Sequence, residues 1–183
     1  MLQIHSLPAP LSFSLHLSPC SLNLESMQEY FIHSQFALVI SWDKGLVERT
    51  VLEFPGSETA KRIHPSRNPS SVVQALDRCY LEQETEPWLN IPLDWKKLSP
   101  FRARVLKTLL WFVPWGRTIT YSRLAAMAGS PGAARAVGTA MAENPWPVII
   151  PCHRVVRADK GLGGFSFGTR FKKKLLALEG ISL

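Results

Sequence analysis

The chain has 183 residues, 46% hydrophobic and 19% charged, and a net charge of +7. That length buries one good core or two small ones, and no apolar run reaches the roughly 20 residues of a membrane-spanning helix. The three cysteines, Cys20, Cys79 and Cys152, have neither disulfide nor metal-ligand spacing, which excludes a disulfide-stapled secreted scaffold.

Residues 1–27 are dominated by Ser, Leu and Pro, with Glu25 the only charge. They lack the basic start of a signal peptide, and their prolines break any helix, so a disordered leader is expected. Cys20 with His5, His16 or His33 makes only a weak metal set, and no metal is expected. Two strands are predicted at Phe36–Trp42 and Leu46–Phe54, with Asp43-Lys44-Gly45 suited to the hairpin between them. Residues 56–70 read as a polar linker, and Val72–Leu81 as an amphipathic helix. The acids of this half are scattered, so they read as a solvated surface rather than as nuclease chemistry.

A second helix is predicted from Pro100 to Phe112, burying Phe101, Val105, Leu106, Leu109 and Leu110 at helical spacing. Trp111 and Trp115 are expected in the core rather than as base-stacking platforms. Tyr121–Ala128 reads as a short helix ended by Gly129. Ser130 suits an N-cap and Pro131 a first helical position, so another helix is expected over Gly132–Met141. Two short helices across a tight turn suggest a helix-turn-helix. The second is built of small residues around Arg135 and carries few of the long polar side chains that read bases. It suits close, sequence-tolerant contact with a duplex, Arg135 being inserted. The alternative for Arg135 is a salt bridge or a solvated surface arginine. Charge favours a polyanion: from Ser99 onward 13 Lys and Arg face three acids, whereas residues 1–98 carry a net of −3. The run Arg170–Lys174 opens a last helix, as a solvated face or a phosphate contact.

The chemistry centres on Pro151-Cys152-His153-Arg154-Val155, which follows the apolar Val148-Ile149-Ile150. A thiol emerging from a buried segment beside an imidazole is a candidate nucleophile and base. Alone, the pair also fits a buried cysteine next to a surface histidine.

Residues 101–180 carry Thr118-Ile119-Thr120-Tyr121, Ala133-Ala134-Arg135-Ala136-Val137-Gly138, Asn144-Pro145, the Cys152 motif, Gly163-Gly164-Phe165-Ser166, Leu175-Leu176 and Glu179-Gly180. In this order and spacing the segment resembles the O6-alkylguanine-DNA alkyltransferases, also called methylated-DNA–protein-cysteine methyltransferases. The resemblance implies an α+β architecture. A small ribonuclease H-like α/β N-terminal domain, over 28–95, would precede a mainly helical C-terminal domain over 99–183 with a winged helix-turn-helix-like motif. It implies that Cys152 accepts an alkyl group, chiefly methyl, from O6 of guanine, and also from O4 of thymine, once per molecule. His153 would be the base acting through a water, Glu179 the carboxylate orienting it, and Tyr121 a donor toward the departing base.

The same resemblance implies minor-groove DNA contacts from Arg135, Ala134, Ser130 and Thr139, with Arg135 filling the space of a flipped base. Asn144, Val155, Phe165, Ser166 and Phe167 would surround the substrate. Phe165 stands where the family often has tyrosine and Phe167 where it commonly has glycine. Phe167 either narrows the pocket or points outward, so methyl transfer is expected ahead of benzyl transfer. No cofactor is implied. The partner is alkylated double-stranded DNA, with no membrane, and the protein is expected to be a monomer, with cooperative assembly on DNA left open. A reactive thiol fits the cytoplasm, or the nucleus of a eukaryote. Two competing readings remain at this stage: a damage-binding module with an incidental thiol, and a turnover Cys-His hydrolase.

Overall fold

The computed structural model describes residues 27–55, 57, 69–82, 91–159 and 161–183. The expected leader and most of the expected linker, with Cys20, His5 and His16, lie outside the described residues. Strands β1 (Met27–His33), β2 (Phe36–Asp43) and β3 (Leu46–Glu53) form an antiparallel sheet in that order. Met27, placed in the leader by sequence, pairs with Trp42 as part of β1. The β2–β3 turn puts Lys44 at φ 49° and Gly45 at φ 77°, the positive values that match a tight hairpin to strand twist.

β2 is the central strand and is buried along most of its length. Beneath the sheet lies helix α1 (Ser71–Tyr80), whose N-cap Ser70 accepts from Val73 N at 3.3 Å. Buried Glu29 ties strand to helix, accepting from Trp42 Nε1 at 2.9 Å and from Ser70 N at 3.0 Å.

Helix α2 (Pro100–Phe112) begins as the sequence predicts, with Ser99 as cap and Pro100 in the first turn. Val105, Leu106 and Leu109 are fully buried, each contributing about 1.5–3 kcal/mol. Phe101 and Leu110 are only half-buried. Trp111, expected in the core, is 63% exposed beside an equally exposed Phe112. It follows Leu109 by two residues, about 200° round the helix, and so points away from the buried stripe.

Short strands β4 (Ile119–Thr120) and β5 (Val155–Val156) pair in parallel. This pairing is not legible in two-residue segments, yet it brings Tyr121 next to Cys152. Helix α3 (Tyr121–Met127) starts directly from β4 on the Thr120 cap, and Gly129 at φ 70° ends it as expected. The following helix, α4 (Ala134–Ala142), corrects the sequence reading. Gly132 lies at φ 85°, a conformation that interrupts any helix starting at Pro131. Ser130 is therefore not its cap; its hydroxyl instead accepts from Arg104 Nη2 at 3.4 Å. The chain closes with α5 (Thr169–Leu178). Among the described residues, no helix is long and apolar enough to cross a membrane.

The sheet and the helical half share a hydrophobic core. Trp146 is 1% exposed and donates from Nε1 to Val47 O at 2.8 Å. Thr50 donates from its amide to Pro145 O at 2.8 Å and from its hydroxyl to Pro147 O at 2.9 Å. Strand β3 thus pins the segment leading to Cys152. Within that segment Val148 sits at φ 76°, a strained conformation for a β-branched residue.

Candidate active site

After Ile150 the chain turns through a single 3₁₀ turn, Cys152–Arg154, before entering β5. This places Cys152, His153 and Arg154 on three different faces of one buried knot. Asn144, just past the end of α4, organises it. Its Nδ2 donates to Ile150 O at 3.0 Å and to Cys152 Sγ at 3.2 Å, and its Oδ1 accepts from Trp146 N at 3.0 Å. Burial pushes the thiol up to about 11, against the pull of the Asn144 hydrogen bond and the Lys172 charge. At neutral pH the resting thiol is therefore protonated.

His153 is not a surface residue; it has no exposure at all. Its Nε2 lies 2.7 Å from Glu179 Oε1. Burial holds the imidazole below its ordinary value, more strongly than Glu179 raises it. Burial also raises the Glu179 carboxyl, but His153 and Arg154 outweigh it, and the carboxyl titrates below the usual range. A neutral imidazole faces an anionic carboxylate, so Nε2 carries the hydrogen and Nδ1 the free lone pair. Among the described residues, Nδ1 has no hydrogen-bond partner.

Glu179, at the C-terminal end of α5, is held on all sides. Arg154 donates to it from Nε at 2.9–3.0 Å and from Nη2 at 3.0 Å, while Arg154 Nη1 donates to Val113 O at 2.7 Å. Gly116 N adds a fourth donor group at 3.3 Å. Such a forked, fully bonded pair is the geometry in which a buried carboxylate stays charged.

In front of the thiol is a cavity of about 340 Å³ between Tyr121, Met141, Cys152, Phe165 and Ser166. The half-buried Tyr121 hydroxyl leans on the backbone of Gly163, where a Cβ would stand only 2.9 Å from it, and Gly163 is at φ 68°. Glycine is required there twice over. Ser166 donates to Ala142 O at 2.7 Å, closing the pocket wall onto α4. Through Tyr121, Gly138 and Gly164 the cavity joins a wide surface cleft of about 820 Å³ that runs past Ala134, Arg135 and Arg157.

The structure therefore brings together Cys152, His153, Glu179, Tyr121, Asn144, Phe165 and Ser166, and places Arg135 and Ala134 on the adjoining cleft. Four expected positions fall elsewhere. Thr139 is exposed, but its hydroxyl is turned back to Arg135 O at 3.4 Å and it does not line the cleft. Val155 is fully buried, and its carbonyl accepts from Lys172 Nζ at 2.5 Å. Phe167 packs on Phe165, centroids 5.9 Å apart, and does not line the cavity. Ser130, bonded to Arg104, is likewise off the cleft.

Two functional neighbours escape the sequence reading. Arg154 is visible in the motif but has no evident partner there. Lys172 reads as part of a basic run, yet it is wholly buried, donating also to Gly164 O at 3.3 Å. Its burial lowers it to about 8. The signal was its helical spacing to Leu176 and Glu179, which places it on the buried face.

A buried thiol backed by an imidazole–carboxylate pair, opening through a small pocket onto a cleft with exposed arginines, defines a protein that uses one cysteine as a nucleophile. Residues 100–181 match the family model described as 6-O-methylguanine DNA methyltransferase, DNA binding domain. The methylated-DNA–protein-cysteine methyltransferase of Methanothermobacter thermautotrophicus is 35% identical over 156 residues, 83% of this chain and 84% of that protein. The protein of that name from Mus musculus is 55% identical over 82 residues, 44% of this chain and 39% of that one. Among solved structures, Mycobacterium tuberculosis OGT in complex with DNA aligns with a TM-score of 0.65 at 31% identity, covering 83% of this chain and 91% of that one. The O6-methylguanine-DNA methyltransferase of Pyrococcus kodakaraensis gives 0.65 at 28% identity, covering 85% and 99%. The chain belongs to the methylated-DNA–protein-cysteine methyltransferase family.

Proposed function

We propose that the protein repairs DNA by direct reversal, moving the methyl group of O6-methylguanine onto Cys152 Sγ. The observation that carries this reading is the buried Cys152 thiol at the floor of the pocket, with the neutral His153–Glu179 pair behind it. With the thiol at about 11, roughly one molecule in 10⁴ holds a thiolate at pH 7. Proton removal must accompany attack, as general-base catalysis. His153 Nδ1 takes the proton through one water, and Glu179 stabilises the imidazolium that forms. The S–C bond forms as the C–O6 bond breaks, and its electron pair leaves with guanine. Tyr121, on the pocket wall, donates toward the base as that charge develops. No cofactor enters these steps. The thioether has no route back to a thiol, so each molecule acts once.

A thiol in a pocket this narrow reaches O6 only if the nucleotide leaves the stack. We assign Arg135, exposed at the start of α4 on the cleft, to the space the base vacates, and the small faces of Ala134 and Gly138 to close approach in the minor groove. The α3–turn–α4 pair followed by β5 supports a winged helix-turn-helix-like reading of residues 99–183. The three-stranded sheet with α1 supports a ribonuclease H-like one of residues 28–95. Because Phe167 lies off the cavity lining, it sets no limit on the alkyl group there. O4-methylthymine has the same exocyclic oxygen chemistry and is a second substrate. A free, unpaired thiol suits a reducing compartment.

The test is incubation with a duplex carrying one O6-methylguanine, followed by mass analysis of peptides and DNA. One methyl group on the Cys152 peptide and unmodified guanine in the duplex are expected. Tight binding of the lesion with no mass gain would leave a damage-binding protein and overturn the assignment.

A further inference from the structure

Tyr80 ends helix α1 with its ring against Phe31, Phe36 and Trp115, at centroid distances of 6.0, 5.2 and 5.1 Å. These contacts account for the ring and not for the hydroxyl. Among the described residues, Tyr80 Oη and His153 Nδ1 are the two buried side-chain polar atoms without a hydrogen-bond partner. An unpaired buried hydroxyl is destabilising, and phenylalanine would fill the same aromatic nest without that penalty. The oxygen therefore needs an explanation beyond packing.

Both atoms border the same ionic cluster. Trp115, the edge-on neighbour of Tyr80, carries the Arg154 guanidinium 5.8 Å from its ring centroid. Arg154 clamps Glu179, and Glu179 holds His153. The charges of Glu179, Arg154 and Cys152 all reach the Tyr80 phenol, which burial first and Glu179 second keep protonated well above the usual range. The two orphan atoms are complementary. Nδ1 is an acceptor because Nε2 carries the hydrogen, and the phenol brings a hydrogen of its own. Buried polar groups of this kind are ordinarily joined by an ordered water.

We propose that Tyr80 is a positioning residue for methyl transfer, its hydroxyl donating to the water that links His153 Nδ1 with the Cys152 thiol. This rests on the reading of Cys152 as methyl acceptor. The water oxygen accepts from Tyr80 and from Sγ–H and donates to Nδ1. On attack the thiol proton passes to the water as a water proton passes to Nδ1. Tyr80 keeps its own proton and fixes the water along that path. The sheet domain thereby supplies a group to chemistry otherwise built by the C-terminal half. The other groups of the cluster are Asn144, which donates to Sγ, His153 and Arg154 from the thiol's own turn, Lys172 from α5, Glu179 from the end of α5, Tyr121 from α3, and Cys79 from α1 beside Arg154 and Glu179. None of these is altered by removing one phenolic oxygen.

The experiment is Tyr80→Phe in the full chain, with three readouts: thermal unfolding, alkylation of the Cys152 peptide by iodoacetamide across pH, and single-turnover methyl transfer from O6-methylguanine duplex. The expected result is an unfolding midpoint unchanged or raised, a thiol titration moved upward, and transfer slowed roughly fivefold, the factor of one hydrogen bond. Wild-type titration and wild-type transfer in the variant would overturn the proposal. If the wild-type protein takes no methyl onto Cys152, the functional reading fails, while the iodoacetamide titration still tests the Tyr80 link. Should the phenylalanine variant not fold, 3-fluorotyrosine at position 80 keeps the shape and strengthens the donor. The Cys152 titration must then move downward, and an unmoved titration overturns the proposal.

Discussion

Replacing Glu179 by glutamine keeps the shape of the side chain and removes one charge from a centre where three groups depend on it. Arg154, 3% exposed, loses its counter-ion and keeps only neutral acceptors, the glutamine amide oxygen and Val113 O. Removing one partner of a buried ion pair typically destabilises by about 3–5 kcal/mol. For a protein of this size each kcal/mol moves the unfolding midpoint by about 2–4 °C, so Glu179→Gln should melt roughly 10 °C lower. The second effect is on chemistry. A glutamine amide can donate to His153 Nε2, which moves the imidazole hydrogen to Nδ1 and removes the lone pair that accepts the thiol proton. A misplaced general base loses about 10²–10⁴ in rate. The assay is single-turnover methyl transfer at a temperature where the variant remains folded, alongside a calorimetric scan. A variant melting within about 2 °C of wild type and transferring within threefold of it would refute both the buried-pair and the tautomer arguments.

Four further outcomes follow from the same geometry. Asn144→Ala removes the hydrogen bond to Sγ, so iodoacetamide titration of Cys152 should move above its present value of about 11 and transfer should fall. Arg135→Ala should slow repair of duplex DNA about tenfold or more, yet leave reaction with a free O6-alkylguanine base within twofold, because opening a base takes a few kcal/mol that the free base avoids; equal losses would remove Arg135 from that role. Gly163→Ala sets a methyl 2.9 Å from the Tyr121 hydroxyl at φ 68° and should destabilise by about 1–3 kcal/mol while lowering transfer, as a urea titration and a methylation time course would show. Stability should fall on acidification in two stages, seen as unfolding midpoints across pH. His153 titrates below its unfolded value of 6.5, so below that pH the unfolded chain binds a proton the folded one refuses. Glu179 titrates below its unfolded value of 4.5, so its contribution is present above that pH and is lost as pH falls through the folded value.

Local signals carried much of the architecture. Ser99-Pro100 marks the start of α2 and Gly129 the end of α3, because capping chemistry is written in adjacent residues. The hairpin at Lys44-Gly45 is legible for the same reason. The start of α4 was misplaced because Ser-Pro is a sound helix opening locally, and only Gly132 at φ 85° decides against it. Tertiary placement was the larger gap. Lys172 sits in a run of three lysines whose composition says solvent, while its period with Leu176 and Glu179 says interior. Trp111 shows the converse, a large apolar side chain on the solvent side of an otherwise well-read helix. In the site, Cys152 and His153 stand adjacent in the chain, so their pairing is visible. Glu179 lies 26 residues beyond His153, and Lys172 and Tyr80 reach the cluster from helices α5 and α1. Such convergence is set by packing, which no local pattern encodes.

The burial of the thiol has a consequence for a protein that can act only once. An exposed, ionised cysteine would be consumed by any electrophile or oxidant it met. Cys152 is 5% exposed and rests at about 11, so it is nearly inert until a methylated base fills the pocket in front of it. On the proposed mechanism, reactivity then depends on His153 holding an open lone pair, which depends on Glu179, which depends on Arg154. Each of those groups is buried and matched to a single partner geometry. The segment from Asn144 to Ile150 that presents the thiol is bound to β3 through Trp146 and Thr50, so the position of the nucleophile is shared between both halves of the chain. A sheet that makes no direct contact with the pocket still sets where sulfur stands. Loosening that seam, for example by Thr50→Val, should therefore lower methyl transfer from duplex and free base alike, in contrast to Arg135→Ala, which touches only the duplex reaction. A Thr50→Val protein with a normal rate on both substrates would show that the C-terminal half positions its thiol unaided.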